Sequence, residues 1–172
     1  GTPEIAVAEN FDSAGGYALT LKQSAKPTPG QPHKPARDIP VRFALIGART
    51  GAVLEEGLIR LRAEEQSARF GPFRERPIAS LLRGYSAPAT LAQKQSLDDR
   101  LTIARAEPDL FARWAATEAL WRDLALAFAG AREMTAPDAA LQRFADALAA
   151  SLEDARADPA FAAELLKVPT EP

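Results

Sequence analysis

The chain has 172 residues, 47% of them hydrophobic and 26% charged, with a net charge of −2 and no cysteine. That length buries a real core in one large or two small domains, and the composition is that of an ordinary soluble globular protein. The acidic balance argues against a nucleic-acid binder held by phosphate contacts. The missing thiols exclude disulfides, thiolate metal sites and cysteine nucleophiles, and no run approaches the ~20 apolar residues that span a bilayer.

The opening residues "GTPEIAVAENF" show neither a basic n-region nor an apolar h-region, so no signal peptide is expected. The absence of cysteine fits a reducing cytoplasm. "EIAVAEN" is short and strand-like. In "YALTLKQ", Tyr17, Leu19 and Leu21 alternate with Ala18, Thr20 and Lys22, a period of two that turns one apolar face inward. The next segment, "SAKPTPGQPHKPARDIP", carries prolines at 27, 29, 32, 35 and 40. Each removes a backbone donor and fixes φ, so an exposed, partly stiff loop is predicted rather than a ladder. Its cations Lys26, Lys34 and Arg37 either touch an acidic neighbour or are simply solvated.

"IPVRFALIG" repeats the strand pattern through Val41, Phe43 and Leu45. "GARTGAV" (Gly47–Val53) loosely resembles a phosphate loop but lacks the Gly-Lys-Ser/Thr ending, and a hairpin turn is the better reading. "LIRLR", "SARFG" and "RPIASLLRGYSAPATL" (Arg76–Leu91) complete about seven short strands, an antiparallel Ig-like sandwich over residues 1–91. In the last of these, Ile78, Ser80 and Leu82 alternate with Ala79, Leu81 and Arg83. Both faces are mostly apolar, which suits a strand gluing the sandwich to helices, with the Tyr85 ring buried and its hydroxyl bonded to backbone.

Composition shifts near residue 92. Residues 1–91 hold 9 of the 14 prolines and 12 Lys/Arg against 9 Asp/Glu, whereas residues 92–172 hold 23 alanines and 9 Lys/Arg against 14 Asp/Glu. The fold class is therefore β and α in separate domains, the sandwich followed by a helical segment over 92–172. Ser96 with Asp99 forms a near-capping box. Pro108 opens a second helix that Gly130 closes, with Leu110, Trp114, Thr117, Trp121, Leu124 and Phe128 in one stripe. Two tryptophans on such a stripe read as packing anchors. A third helix is predicted from Pro137 to about Glu153, with Leu141, Phe144, Leu148 and Leu152 aligned, and a fourth begins with Asp158 as cap and Pro159 in its first turn. The last helices are expected to carry an apolar face that drives self-association through residues 137–168.

No reaction centre emerges. A helical zinc site needs two histidines, and the chain has His33 alone, in the proline loop with no carboxylate nearer than Asp38. That loop has nothing to orient His33 as a base. Glu55–Glu56 and Glu64–Glu65 are adjacent on strands and point to opposite faces, so they cannot converge on one bond. Asp98–Asp99 opens a helix, where negative charge suits the dipole. Arg60, Arg62, Arg69, Arg74, Arg76 and Arg83 lack interleaved exposed aromatics and read as a solvated or interdomain face.

Read in order, several motifs resemble the stretch just after the catalytic domain in the bacterial aminopeptidase N branch of the M1 zinc metallopeptidase family. The family's Tyr-x-Leu-x-x-x-Gln strand, Pro-Thr-Pro-Gly-Gln loop and Ile-Pro strand fall on Tyr17, Leu19 and Gln23, on Pro27 to Gln31, and on Ile39-Pro40. Its Pro-x-x-Ser-Leu-Leu-Arg-x-Phe-Ser-Ala-Pro segment falls on Pro77 to Pro88, with Tyr85 in the aromatic position, and Phe-x-Arg-Trp falls on Phe111 to Trp114. The pattern departs after Trp114, where Ala115 and Glu118 replace an acid and a Gln.

The resemblance implies a post-catalytic β-sandwich followed by the first helices of a larger α-helical domain. Such an enzyme removes N-terminal residues from peptides with zinc held by a His-Glu-x-x-His helix and a distal Glu, all upstream of this segment. It therefore implies no catalytic, cofactor-binding or metal residue in this chain, and zinc only in the parent enzyme. The implied partners are the remaining domains of the same polypeptide and, through the parent, peptide substrates, with no nucleic acid and no membrane. The alternative is a stand-alone peptide- or protein-binding module.

Overall fold

A computed structural model of the chain describes residues 1–12, 14–31, 34–130, 138–154 and 158–167. The chain divides into two compact units, Gly1–Lys94 and Gln95–Pro172.

The described residues of the first unit form a sandwich of seven strands: β1 (Glu4–Phe11), β2 (Tyr17–Ser24), β3 (Ile39–Gly47), β4 (Val53–Leu61), β5 (Glu65–Phe70), β6 (Pro77–Leu81) and β7 (Thr90–Ala92). They form a four-stranded sheet in the order β5-β2-β1-β7 and a three-stranded sheet in the order β4-β3-β6. The period-two pattern of β2 holds: Tyr17, Leu19, Leu21 and Gln23 are buried while Lys22 and Ser24 are exposed. Facing it from the other sheet are Val41, Phe43, Leu45, Ile59, Leu61, Ala79 and Leu81, which with Ile5 make the core. Phe43 packs against Phe70 with tilted rings, centroids 5.1 Å apart, closing the core between the sheets. The Leu91 side of the boundary is set by β7, which carries the sandwich past residue 91 to Lys94.

Pairing is antiparallel except between β1 and β7, which run parallel with Ile5 opposite Leu91. This departs from the antiparallel expectation, because the chain re-enters the sheet edge from the far end of the fold. The Thr28-Pro29-Gly30-Gln31 turn is closed by Gln31 N–H on Thr28 O at 2.8 Å, with Gly30 at φ 81°, as a type II turn needs. Pro32 and His33 lie outside the described residues. Pro40 is tolerated inside β3 because its missing donor would point away from β4, where β6 has already ended opposite Phe43.

The segment Arg76–Leu91 differs from its expected alternation. All five residues of β6 are buried, but Leu82 sits at φ 56°, ending the strand and turning its side chain into the same core as Ala79 and Leu81. A 3₁₀ turn, Arg83–Tyr85, follows, and Tyr85 at φ 53° is 58% exposed rather than buried. A left-handed backbone at two bulky residues redirects the chain, and a strand period cannot be read through it. Leu81 and Leu82 are both buried in the core of the sandwich unit.

The second unit holds α1 (Leu97–Ala106), α2 (Leu110–Gly130), α3 (Asp138–Asp154) and α4 (Pro159–Leu165). Ser96 and Asp99 make the full reciprocal capping box of α1. Asp109, not Pro108, opens α2, its carboxylate accepting the Ala112 N–H at 2.9 Å. The buried face of α2 is Arg113, Ala116, Thr117, Leu120 and Leu124; Leu110 is 46% exposed, and Trp114 and Trp121 flank this face half-buried. The predicted stripe is thus rotated toward one side, because small alanines let α1 approach closely where no large residue marks the contact. Phe128 has its side chain outside the described residues. Trp121 meets Phe144 of α3 edge-on at 4.7 Å, and Asp158 caps α4 through the Phe161 N–H. Pro137 lies outside the described residues. On α3, Phe144, Ala147 and Ser151 are buried, Leu148 and Leu152 are intermediate and Leu141 is exposed; Leu166 beyond α4 is also exposed. No described helix is long and apolar enough to cross a membrane.

Candidate functional site

Four polar constellations stand out from the described side chains, and three of them serve backbone groups that need partners. The proline loop has few donors of its own to give a sheet. Gln23, 8% exposed at the end of β2, supplies them instead. Its Nε2 donates to Arg37 O at 2.8 Å and Ala63 O at 3.0 Å, and its Oε1 accepts the Arg37 N–H at 2.9 Å. One amide thereby clamps the return of the loop and the β4–β5 connection to β2.

The "GARTGAV" segment is the β3–β4 turn, with Gly51 N–H on Gly47 O at 2.8 Å. Its donors are aimed at an anion, but the anion is internal. Glu75 accepts Arg49 N–H at 2.8 Å, Thr50 N–H at 3.1 Å and the Thr50 hydroxyl at 2.8 Å. The Thr50 hydroxyl bond, assisted by these backbone donors, holds the Glu75 carboxyl below the usual carboxylate range against the opposing effect of burial. A group so depressed stabilises the fold fully above the ordinary carboxylate range and loses that contribution as pH falls below it. Between neutral pH and about pH 3 the melting temperature of the chain should therefore fall more steeply than that of Glu75→Gln. Parallel pH curves for the two proteins would contradict this role.

Arg60 and Arg62, expected on one solvated face, converge on Asp38. Arg60 holds it with Nε at 3.1 Å and a second nitrogen at 2.6 Å, and Arg62 Nε lies at 3.2 Å. The Arg60 hydrogen bonds are the largest cause of the lowered Asp38 pKa. Arg83 pairs with Glu56 at 2.6 Å across the outer face of the three-stranded sheet. The proline-loop cation Arg37 is exposed, and Lys34 is half-buried. In the helical unit, Asp98 pairs with Arg143 and Arg100 with Asp123. The fourth constellation is at the α1–α2 corner. Glu107 is fully buried and accepts the Asp109 N–H at 2.9 Å, and Arg113, 7% exposed, donates to the Glu107 carbonyl at 2.8 Å. Sequence reasoning missed this buried pair; the only signal was an arginine among small residues on α2.

Glu55 and Glu56 both lie on β4, where neighbours alternate between faces, whereas Glu64 precedes β5 in the connection and only Glu65 is on a strand, so strand alternation does not apply to the second pair. Asp99 is spent on the capping box. Among the described residues, no group of three or more His, Cys, Asp or Glu side chains could hold a metal ion. A cleft of about 520 Å³ lies between β4 and the 3₁₀ turn, lined by Arg42, Glu56, Leu58, Arg83 and Ser86 among others. These arrangements fasten loops and corners; none combines a nucleophile, a base and an open cavity.

Two family models match in tandem: "Domain of unknown function (DUF3458) Ig-like fold" over residues 1–94 and "Domain of unknown function (DUF3458_C) ARM repeats" over residues 97–172. The chain is 39% identical to aminopeptidase N of Caulobacter vibrioides over its whole length, covering 20% of that protein. It is 30% identical to aminopeptidase N of Escherichia coli, with 99% of the chain and again 20% of the relative aligned. The chain thus spans about one fifth of the length of the curated relatives it matches. A crystal structure of Legionella pneumophila aminopeptidase A in complex with aspartic acid superposes with a TM-score of 0.77 at 26% identity, over 99% of this chain and 19% of the other.

Proposed function

The chain belongs to the family described as "Domain of unknown function (DUF3458) Ig-like fold", and from that premise we propose that it is a non-catalytic interdomain region of an aminopeptidase. In this reading the parent enzyme is an M1 zinc metallopeptidase, cytoplasmic, that removes N-terminal residues from peptides. The sandwich and the helices that follow it hold the catalytic domain and the rest of the helical domain in register. The observation that carries the reading is the ordered match of both units, end to end, to one fifth of aminopeptidase N.

The residues of this chain do not fit the metal such an enzyme carries. Zinc catalysis needs three protein ligands of histidine, carboxylate or thiolate type, and the donor set here is one histidine, no cysteine, and carboxylates that nowhere gather in a group of three among the described residues. In this reading zinc belongs to the parent enzyme. What this chain contributes is rigidity, through the Gln23 clamp, the Glu75-filled turn and the Glu107–Arg113 corner.

The test is direct. The purified chain, with and without added zinc, is expected to release no 4-nitroaniline from L-alanine 4-nitroanilide. Turnover that tracks the folded chain would overturn the assignment.

A further inference from the structure

We propose that the open edge of β4 is a self-association edge, at which two copies of the chain pair antiparallel about a two-fold axis through Leu58. This goes beyond the interdomain role, and failure of the peptidase prediction would leave it untouched.

β4 is an outer strand of its sheet, bonded to β3 alone. Arg42 of β3 lies opposite Leu58, and its N–H is given to Ser86 Oγ at 3.0 Å, on the side away from β4. In an antiparallel ladder, residues so paired turn their backbone groups away from each other. Leu58 therefore presents its N–H and C=O at the open edge, and by the period of two so do Glu56 and Arg60. None of these backbone groups has another partner among the described residues. The side chains beside them are open as well: Glu56 is 61% exposed, Leu58 54% and Arg60 54%.

On that outer face the strand reads acid, leucine, base. A two-fold at Leu58 sets Glu56 against the partner's Arg60, Leu58 against the partner's Leu58, and Arg60 against the partner's Glu56. Each pair exchanges two backbone bonds, about six in all. The intrachain pairs extend rather than compete, because Asp38, Arg60, the partner's Glu56 and the partner's Arg83 then alternate in sign. Centring the axis on Glu56 or Arg60 would oppose like charges, and centring it on Gly57 would form no ion pair. Charges commonly defend an edge against pairing; here their order favours the register centred on Leu58 over those centred on Glu56, Gly57 and Arg60. The contact is small, so the dimer should be weak, with a dissociation constant above about 1 µM.

Sedimentation equilibrium of the chain from about 1 µM to about 1 mM is expected to show a monomer–dimer equilibrium. Glu56→Arg and Arg60→Glu should each weaken it about tenfold or more, and the double exchange should restore it. An equimolar mixture of the two single variants should form the mixed dimer. Leu58→Pro deletes an outward donor that β3 does not use, and should abolish pairing while circular dichroism stays native. Leu141→Ser with Leu166→Ser, in the helical unit, should leave association unchanged. A chain that stays monomeric throughout, single variants that pair as tightly as the parent, or loss of association in the helical variant would each overturn the proposal.

Discussion

Gln23→Met is expected to destabilise the sandwich unit by about 3 kcal/mol, the largest loss predicted for any single change in that unit. Methionine keeps the volume and the buried position but cannot donate or accept as the amide does. Three backbone groups, Arg37 N–H, Arg37 O and Ala63 O, lose their partner at once. Each partly buried group left unsatisfied costs about 1 kcal/mol or more. The loop cannot compensate, because its prolines leave it few donors with which to rebuild a ladder. The readout must be chosen with care, since both tryptophans, Trp114 and Trp121, lie on α2 and report the helical unit. Amide exchange at Leu19, Leu21 and Val41, all buried in the sandwich core, reports the right one. Their slowest protection should drop by about two orders of magnitude. A drop of less than about tenfold would mean that the clamp is decorative.

The ease of reading the strands and the difficulty of reading that clamp have one cause. A period of two is written in neighbouring residues, so β2 and β3 are visible as Tyr17, Leu19, Leu21 and Val41, Phe43, Leu45 without any knowledge of partners. So were the caps Ser96 and Asp158, whose bonds stay within one turn of helix. Gln23 could be picked out only as part of a motif resemblance; its partners are 14 and 40 residues away, and no local pattern encodes them. The parallel β1–β7 pair is hidden for the same reason. Leu82 and Tyr85 fail differently, because a left-handed backbone at a non-glycine residue contradicts local preference and is imposed by the surrounding fold. On α2 the alanine-rich sequence is apolar on nearly every side, so the large residues mark a face displaced from the one that packs. The phosphate-loop likeness of "GARTGAV" had physical content, since the donors are there, but Glu75 already occupies them.

Arg113→Met should cost the helical unit about 3 kcal/mol, comparable to the Gln23 change but confined to the other half of the chain. The reason is the company it keeps. Glu107 is fully buried at the α1–α2 corner, and Arg113 is buried beside it, bonded through Nε to the Glu107 carbonyl. Removing the guanidinium strands that carbonyl and takes a buried positive charge from beside the buried Glu107 side chain. The double variant Glu107→Gln/Arg113→Met should therefore recover a good part of the loss, a non-additivity that independent sites would not show. Here the tryptophans are an asset. Trp121 packs on Phe144, so its fluorescence follows docking of α2 on α3 during urea unfolding. The single variant should shift the midpoint to lower urea at unchanged slope, and the double should shift it part of the way back. If the two substitutions instead add, the corner is held by packing alone, and the buried charges contribute nothing to each other.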